Sequence, residues 1–203
     1  MGTVRDLIEV FKDTQRSYRS SLILRKAIEY SISNTEIIAP GFTTDLQKRY
    51  VHTDIVVNSN RSFEDARSIN KTDPAEKICV HNFASFEYPG GGVVNGSRAQ
   101  EESLCRVSTL YPVLTSAKPM EKYYLPHHIN PQPAYSDACI YSPDIINFKS
   151  DEDLPQLMEE KDWIKADVIT CAAPNLRTYS GRLLSPEDQY AIHVQRARQI
   201  LNV

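Results

Sequence analysis

The residues of this chain that could do chemistry begin with a run of three consecutive glycines, Gly90, Gly91 and Gly92, directly after an apolar segment. Glycine adopts positive φ at little cost and lets a ligand approach the backbone closely. Successive N–H groups in such a loop can also form a concave nest for an anion. The run therefore predicts a loop that cradles a phosphate, although three glycines alone more often form a flexible turn.

An amide and two carboxylates follow the glycines after seven residues, as Gln100, Glu101 and Glu102 at the start of a helical pattern. A carboxyl group beside a bound sugar phosphate suggests acid or base catalysis on a glycosidic bond. Adjacent helical residues point about 100° apart, so the two glutamates cannot both face one atom. We expect one to do chemistry and the other to support it, although the helix dipole alone also favours glutamates in a first turn.

The glycine run and the Gln-Glu-Glu triplet together resemble the signature of the microbial-type poly(ADP-ribose) glycohydrolases, a branch of the macrodomain superfamily. The surrounding NFAS, PGGG and QEESL resemble that family as well, and so do the segments at 141–144 and 169–175. The resemblance covers roughly residues 5 to 203. It implies an α/β, three-layer, macrodomain-like fold with a mixed central sheet and an N-terminal helical extension.

For the site, the resemblance implies that Glu102 is the catalytic acid and that Glu101, the second catalytic residue, binds ribose hydroxyls. Gln100 would help to orient the site. Asn82 and Asn175 would contact the substrate, together with the three glycines. An acid that works at neutral pH must hold a proton, which burial or the negative charge of a diphosphate favours. The resemblance implies no metal and no cofactor.

The implied activity is hydrolysis of the ribose–ribose O-glycosidic bond of poly(ADP-ribose), which releases ADP-ribose. The partners would be poly(ADP-ribose), free ADP-ribose and ADP-ribosylated proteins. Two alternatives stay open. The chain could be a module that binds ADP-ribose with little or no turnover, or an interaction domain in which the glycine loop is structural. Release of ADP-ribose separates the first reading from the others, and binding of ADP-ribose separates the second from the third.

Length and charge limit the remaining classes of function. The chain has 203 residues, of which 41% are hydrophobic, which is enough for one domain with a core. We expect a single domain over 1–203, with a helical region at 1–36 and a catalytic core at 50–203. A net charge of −3 gives no basic surface for duplex DNA or an anionic membrane. The sequence also shows no signal region and no long apolar span.

Cysteines and histidines give no sign of a metal site in the sequence. The four cysteines are widely spaced, without a histidine at a zinc-ligand interval: Cys79, Cys105, Cys139 and Cys171. We expect reduced, mostly buried thiols, which suits a cytoplasmic location, or the nucleus if the source is eukaryotic. His81 is interpreted as a strand histidine, and His127 and His128 as surface histidines of a loop. Three tyrosines near these histidines could stack on adenine or pack in the core: Tyr123, Tyr124 and Tyr135.

Hydrophobic periodicity predicts strands alternating with helices, the pattern of an α/β fold. One long helix or two consecutive helices are predicted over 4–33. Further helices are predicted from Ser62, over 100–114 with an end or kink near Leu110, and over 185–201. Strands are predicted at 51–58, 78–84, 138–141, 145–148 and 166–171, of which 78–84 is central and 145–148 an edge. Asp54 and Asn58 could face a ligand or be ordinary polar residues of a strand end. Loops are predicted at 118–136 and 151–161.

The family pattern continues past the position of Val203 with one more strand and a second glycine-rich loop that grips the diphosphate. We therefore expect the catalytic core to be incomplete at its C-terminus. Part of the phosphate clamp would be missing, and one edge of the sheet would be exposed.

Overall fold

The computed structural model describes residues 2–44, 51–129, 136–173 and 185–203. The helices in these ranges are α1 (Val4–Ser20), α2 (Leu22–Asn34), α3 (Ser62–Thr72), α4 (Gln100–Val107), α5 (Leu110–Leu114), α6 (Ala117–Pro119), α7 (Leu125–Ile129) and α8 (Pro186–Asn202). The strands are β1 (Glu36–Ile38), β2 (Cys79–Ala84), β3 (Cys139–Asn147) and β4 (Ile164–Ala172). None of these helices is both long enough and apolar enough to cross a lipid bilayer.

The four strands form one mixed sheet in the order β1-β3-β4-β2. Strands β2 and β4 are parallel, with Asn82 opposite Thr170 and Ala84 opposite Ala172. Strand β3 runs antiparallel to both β1 and β4. Because β2 and β4 end side by side, the residues that follow Ala84 and Ala172 lie at the same edge of the sheet. That edge is where an open α/β sheet holds its ligands.

Helices cover both faces of the sheet. On one face, side chains such as Val80 and Val168 pack in a large core with Phe63, Leu104 and Leu110 from the helices. On the other face, α8 covers a smaller cluster, made of Cys139, Ile169, Cys171, Ile200 and Val203 with their neighbours. This arrangement confirms the expected three-layer α/β architecture with its mixed central sheet.

The N-terminal helical extension consists of two helices, one of the two forms that the periodicity allowed. A capping box between Thr3 and Asp6 starts α1, and the Ser21 side chain caps α2 by accepting the N–H of Leu24. Strong tertiary contacts fix α1 on the core. The buried Lys149 donates to the Asp13 carboxylate at 2.7 Å, so this extension packs against the rest of the described structure.

Caps and apolar runs placed several other elements correctly. Helix α3 spans the predicted region, and Asn58 stabilises its start by donating to Asp65 at 2.9 Å. Helix α8 begins after Ser185, whose hydroxyl accepts the N–H of Asp188, with Pro186 in its first turn. Strands β2 and β4 cover the two most apolar runs. In each case the signal lies within a few residues of the element that it defines.

The predicted strand at 51–58 is wrong. The segment belongs to no strand and pairs with none of the described strands. Its β-branched side chains lie in solvent, with Ile55 87% and Val57 91% exposed. A strand needs a neighbour for its N–H and C=O groups and a core for its side chains. Asp54 is exposed as well, and Asn58 holds α3, so their interpretation as ordinary polar residues fits best.

The helix predicted over 100–114 ends earlier than expected. Helix α4 ends at Val107, and the chain turns at Ser108 before α5 begins at Leu110. The Ser108 hydroxyl donates to the Leu104 carbonyl at 2.7 Å and accepts the N–H of Leu110 at 3.2 Å. Serine side chains compete in this way with helical hydrogen bonds. Pro112 lies in the first turn of α5, where a backbone N–H has no acceptor within the helix, so proline is tolerated.

The predicted loop over 118–136 is also wrong for its described part. Residues 117–129 are helical, with a π-helical stretch at Met120–Tyr124 between α6 and α7. Tyr123 and Tyr124 are 2% and 1% exposed and pack in the main core, so core packing is their role. His127 is buried, against expectation, whereas His128 is exposed. Tyr135 lies outside the described residues.

Two predicted strands, 138–141 and 145–148, are one strand, β3. A register shift between Ser142 and Ile145 interrupts its pairing with β4, and Asp144 there has a φ of 55°. Strand β3 lies between β1 and β4, so it is not an edge strand. Strand β2, which the apolar pattern placed at the centre, lies next to β4 at one end of the strand order among the described strands. Apolar content is thus a poor guide to strand order.

Candidate active site

The glycine loop starts with a type II turn over residues 88–91. The Gly91 N–H donates to the Tyr88 carbonyl at 2.9 Å, with Pro89 and Gly90 at the two central positions. Gly90 has a φ of 73°, which this turn requires at its third residue. Gly91 has a φ of 55°, and a Cβ there would lie 2.6 Å from Oε1 of Glu102. Both positions therefore require glycine.

Glu101 binds the backbone on both sides of this turn. Its Oε2 accepts the N–H of Ser85 at 2.7 Å, and its Oε1 accepts the N–H of Gly90 at 3.0 Å. The side chain of Asn82 donates to the same Oε1 at 3.5 Å. Glu101 is 3% exposed, and burial raises its pKa to about 7 in spite of these donors. Its carboxyl group therefore fixes the path of the chain from β2 into the glycine loop.

Glu102 has one oxygen fixed and one oxygen free. Its Oε1 accepts the N–H of Gly92 at 2.8 Å. Its Oε2 is buried and has no hydrogen-bond partner in the part of the chain that the structure describes. A buried polar atom without a partner costs free energy and marks a place where a ligand can bind. Oε2 is thus a buried acceptor that none of the described residues occupies.

Gln100 attaches the start of α4 to the outer edge of β2. Its amide oxygen accepts the N–H of Phe83 at 2.9 Å, and its amide nitrogen donates to the His81 carbonyl at 2.7 Å. The same nitrogen donates to the Ser62 hydroxyl of α3 at 3.1 Å. The side chain thus imitates a peptide group of a neighbouring strand. It sets the position from which Glu101 and Glu102 reach the glycine loop.

Asn82 lies at the centre of these elements and is fully buried. Its amide nitrogen donates to Thr170 of β4 at 3.2 Å as well as to Glu101. Its amide oxygen is buried without a partner among the described residues. Asn82 and Glu102 therefore each present a free acceptor at the ligand-binding edge of the sheet.

The glycine loop does not offer the free N–H groups that a phosphate cradle needs. Glu101 and Glu102 accept the N–H groups of Gly90 and Gly92. The N–H groups of Gly91 and Val93 donate to carbonyls of the loop itself. The nest is thus filled by the chain's own carboxylates, which reach back to it from ten or eleven residues away. Sequence reasoning identified the anion-binding loop but not its occupant.

The structure brings together the predicted residues Asn82, Gly90–Gly92 and Gln100–Glu102. The remaining one, Asn175, lies outside the described residues. Sequence reasoning missed Ser85 and Thr170, which contact Glu101 and Asn82; only their places after β2 and near the end of β4 could have indicated them. Within the described ranges no group of three or more histidine, cysteine or acidic side chains could hold a metal ion.

Comparison with known proteins identifies the family of this chain. The family model for the microbial-type PARG catalytic domain matches residues 8–150. No curated protein sequence matches the chain. The crystal structure of poly(ADP-ribose) glycohydrolase from Thermomonospora curvata bound to the inhibitor ADP-HPD is 26% identical, with a TM-score of 0.79. That match covers 98% of this chain and 74% of the other.

A second similar structure is the poly(ADP-ribose) glycohydrolase of Deinococcus radiodurans in complex with ADP-ribose. It is 30% identical to this chain, with a TM-score of 0.68, and the match covers 86% of this chain and 70% of the other. The family match spans well over half of the chain and includes the glycine loop and both glutamates. The chain belongs to the family of microbial-type poly(ADP-ribose) glycohydrolase catalytic domains.

Proposed function

We propose that this protein hydrolyses the ribose–ribose O-glycosidic bond of poly(ADP-ribose) and releases ADP-ribose, with Glu102 as the acid. The observation that carries this assignment of Glu102 is its buried, unpartnered Oε2, next to a loop that only glycine can form. The other oxygen is held by the Gly92 N–H, so the carboxyl group has one orientation. General acid catalysis requires a carboxyl group that is held in one orientation and has an oxygen that the protein itself does not occupy.

In the proposed reaction, Glu102 gives its proton to the oxygen of the leaving ribose. Positive charge then develops on the ribosyl carbon, as in other glycosidic cleavages. Water attacks that carbon and loses its proton to Glu102, which restores the acid. Glu101 and Glu102 are sequence neighbours that both bind one loop, so they do not flank the bond as the two carboxylates of ordinary glycosidases do.

Glu101 acts in this proposal chiefly as a positioning residue. Both of its oxygens already accept N–H groups, from Ser85 and Gly90. The ribose-binding role expected from the resemblance would require a ribose hydroxyl to share one of these oxygens. With a pKa of about 7, Glu101 carries its proton in part at neutral pH.

The proposed ligands are ADP-ribose units, free, in the polymer or attached to modified proteins. The similar structures from the two bacteria contain ADP-ribose or the inhibitor ADP-HPD, which supports this choice. We further propose a macrodomain-type fold and a cytoplasmic or other reducing location. The four free cysteines support the location, since a reducing compartment keeps thiols unpaired.

The test is release of ADP-ribose from purified poly(ADP-ribose), followed by chromatography. Glu102→Gln should lower the rate on the order of a thousandfold, since it removes the acid but keeps an oxygen for the Gly92 N–H. Glu159→Gln is the matched control, because Glu159 has a 72% exposed side chain far along the sequence from the loop. Release at background level by both wild type and Glu102→Gln would contradict the hydrolysis, and equal release above background would contradict the role of Glu102. Binding of ADP-ribose without release would then indicate a binding module.

A further inference from the structure

An exposed aromatic side chain on a fixed backbone lies at the start of the glycine loop. Tyr88 is 55% exposed. Its backbone is nevertheless fixed on both sides, because its N–H donates to the Ser85 hydroxyl at 3.1 Å and its carbonyl accepts the Gly91 N–H. Because this backbone is already fixed, less conformational freedom is lost when a flat ligand group covers the ring. Tyr88 is therefore suited to recognising such a group.

Tyr88 is part of an aromatic rim, which we define as Phe86, Tyr88, His127 and His128. The rings of Tyr88 and His128 lie edge to face with their centroids 6.0 Å apart. The rings of Phe86 and His127 lie 6.4 Å apart in a similar arrangement. Two different elements, the chain before the glycine loop and α7, thus bring four rings to one place. Tyr88 and His128 are the exposed members.

The aromatic rim is joined to the candidate active site through the backbone. Ser85 donates its N–H to Glu101, and its hydroxyl accepts the N–H of Tyr88. Tyr88 in turn closes the turn that presents Gly91 to Glu102. Movement of Tyr88 would therefore disturb the loop, because Gly91, at the other end of this turn, lies against Glu102.

We infer that Tyr88, with His128 beside it, stacks on a purine base of the substrate. This inference rests on the proposed function, because poly(ADP-ribose) carries an adenine in every unit. Bases stack on exposed aromatic rings through their π faces, which needs no hydrogen-bond partner. The rim thus supplies base recognition that neither the carboxylates nor the glycines can give. The base belongs either to the ADP-ribose unit that is released or to its neighbour in the polymer.

Steady-state hydrolysis of poly(ADP-ribose) gives the first test. Tyr88→Ala should raise KM about tenfold and leave kcat within about twofold, because it removes binding and not chemistry. Tyr88→Phe, which keeps the ring, should behave as wild type. Tyr30→Ala is the matched control, since Tyr30 on α2 is 52% exposed. If Tyr88→Ala and Tyr30→Ala have the same KM as wild type, the inference is overturned.

Fluorescence gives a second test that does not depend on turnover. Tyr88→Trp is made together with Glu102→Gln, so that the polymer stays intact; the natural chain has one tryptophan, Trp163. ADP-ribose, purified poly(ADP-ribose) and ribose 5-phosphate serve as probes, with Tyr30→Trp as the control for the position of the new ring. Stacking should quench the new emission with the probes that contain adenine and not with ribose 5-phosphate.

The pattern of quenching identifies the base. Quenching by ADP-ribose supports contact with the base of the released unit, and quenching by the polymer alone supports contact with the neighbouring unit. Absence of quenching by both, while calorimetry shows that both bind, overturns the inference. If adenine-containing probes quench the Tyr88→Trp variant while wild type binds the polymer but releases nothing, the proposed hydrolysis is contradicted and base stacking stays supported.

Discussion

The glycine loop and the segment 51–58 relate sequence to structure in opposite ways. Both carry a strong local pattern, three glycines in one and a run of β-branched residues in the other. In the loop, the N–H groups of Gly90 to Gly92 all have acceptors, and two of those acceptors are carboxylates from α4. In the segment, Val56 and Val57 are 80% and 91% exposed and no strand forms.

The difference lies in where each pattern finds its partner. The loop is completed by Glu101 and Glu102, which the same short stretch of sequence supplies. A strand is completed by another strand, which must come from elsewhere in the chain. None of the described strands takes that place beside 51–58. A local pattern thus determines structure reliably when its partner is also local.

The largest expected effect in this comparison comes from Gly91→Ala. The new Cβ would lie 2.6 Å from Oε1 of Glu102 at a φ of 55°, so the carboxyl group must move. We expect activity on poly(ADP-ribose) to fall by about a hundredfold, as for other displacements of about 1 Å at a reacting group. We also expect a loss of about 2 to 4 kcal/mol in the free energy of unfolding.

Gly41→Ala is the control that separates the clash with Glu102 from the energetic cost of a positive φ. Gly41 also has a positive φ, 78°, but nothing lies within 4 Å of a Cβ placed there. Gly41→Ala should lower the free energy of unfolding by about 1 kcal/mol and leave activity unchanged. Urea unfolding and the release assay on both variants make the comparison. Equal activity of the two variants would show that the loop does not need to approach Glu102 closely.

Gln100→Glu tests whether the loop depends on the attachment of α4 to β2. The change removes the N–H groups that donate to the His81 carbonyl and to Ser62, and places a carboxylate oxygen against that carbonyl. We expect a loss of about 2 to 3 kcal/mol in unfolding free energy, because a partly buried carbonyl loses its donor and faces a carboxylate. Gln156→Glu, at an exposed glutamine, should change stability by less than about 0.5 kcal/mol. Similar values for both variants would contradict the role of Gln100.

The distinction between local and distant partners also explains how much of the structure could be predicted from the sequence. The α/β class, β2, β4, α3 and α8 follow from apolar runs and caps that are local. The grouping of Asn82, Gly90–Gly92 and Gln100–Glu102 came from the family resemblance. The filled nest, the place of β3 inside the sheet and the burial of Tyr123 each depend on contacts across the fold. No pattern in a single sequence reports these contacts directly.

Helix 117–129 shows a second limit of local reading. Its prolines and aromatic residues favoured a loop, yet Pro119 ends the short α6 and the following turn widens to a π-helix. Burial of Tyr123 and Tyr124 stabilises the helical conformation, since their side chains are among the largest in the core. Tertiary packing thus outweighs a weak local preference.

The pH dependence of stability tests the burial of Glu101. Its pKa is about 7 in the folded protein, above the ordinary value of 4.5, with burial as the main cause. The folded state therefore binds more protons than the unfolded state between pH 4.5 and 7. Stability contributed by this group is present at the acid end and is lost as the pH rises to 7, by at most about 3 kcal/mol.

Urea unfolding of wild type and Glu101→Gln at several pH values measures this contribution. The difference in unfolding free energy, wild type minus variant, should fall from pH 4.5 to 7 and stay constant above it. Other titrating groups cancel in that difference, because the two proteins share them. A difference that does not vary with pH would show that Glu101 is well solvated and that the loop is open.

The smallest expected effect is that of a substitution in the segment 51–58. Val57→Ser should change the free energy of unfolding by no more than about 0.5 kcal/mol, because the side chain is already 91% exposed. Val168→Ser in β4 makes the same chemical change at a fully buried valine and should cost about 3 kcal/mol. Urea unfolding of the two variants compares them directly. If Val57→Ser cost as much as Val168→Ser, the segment 51–58 would be packed in solution, and its β-branched run would have predicted a strand correctly.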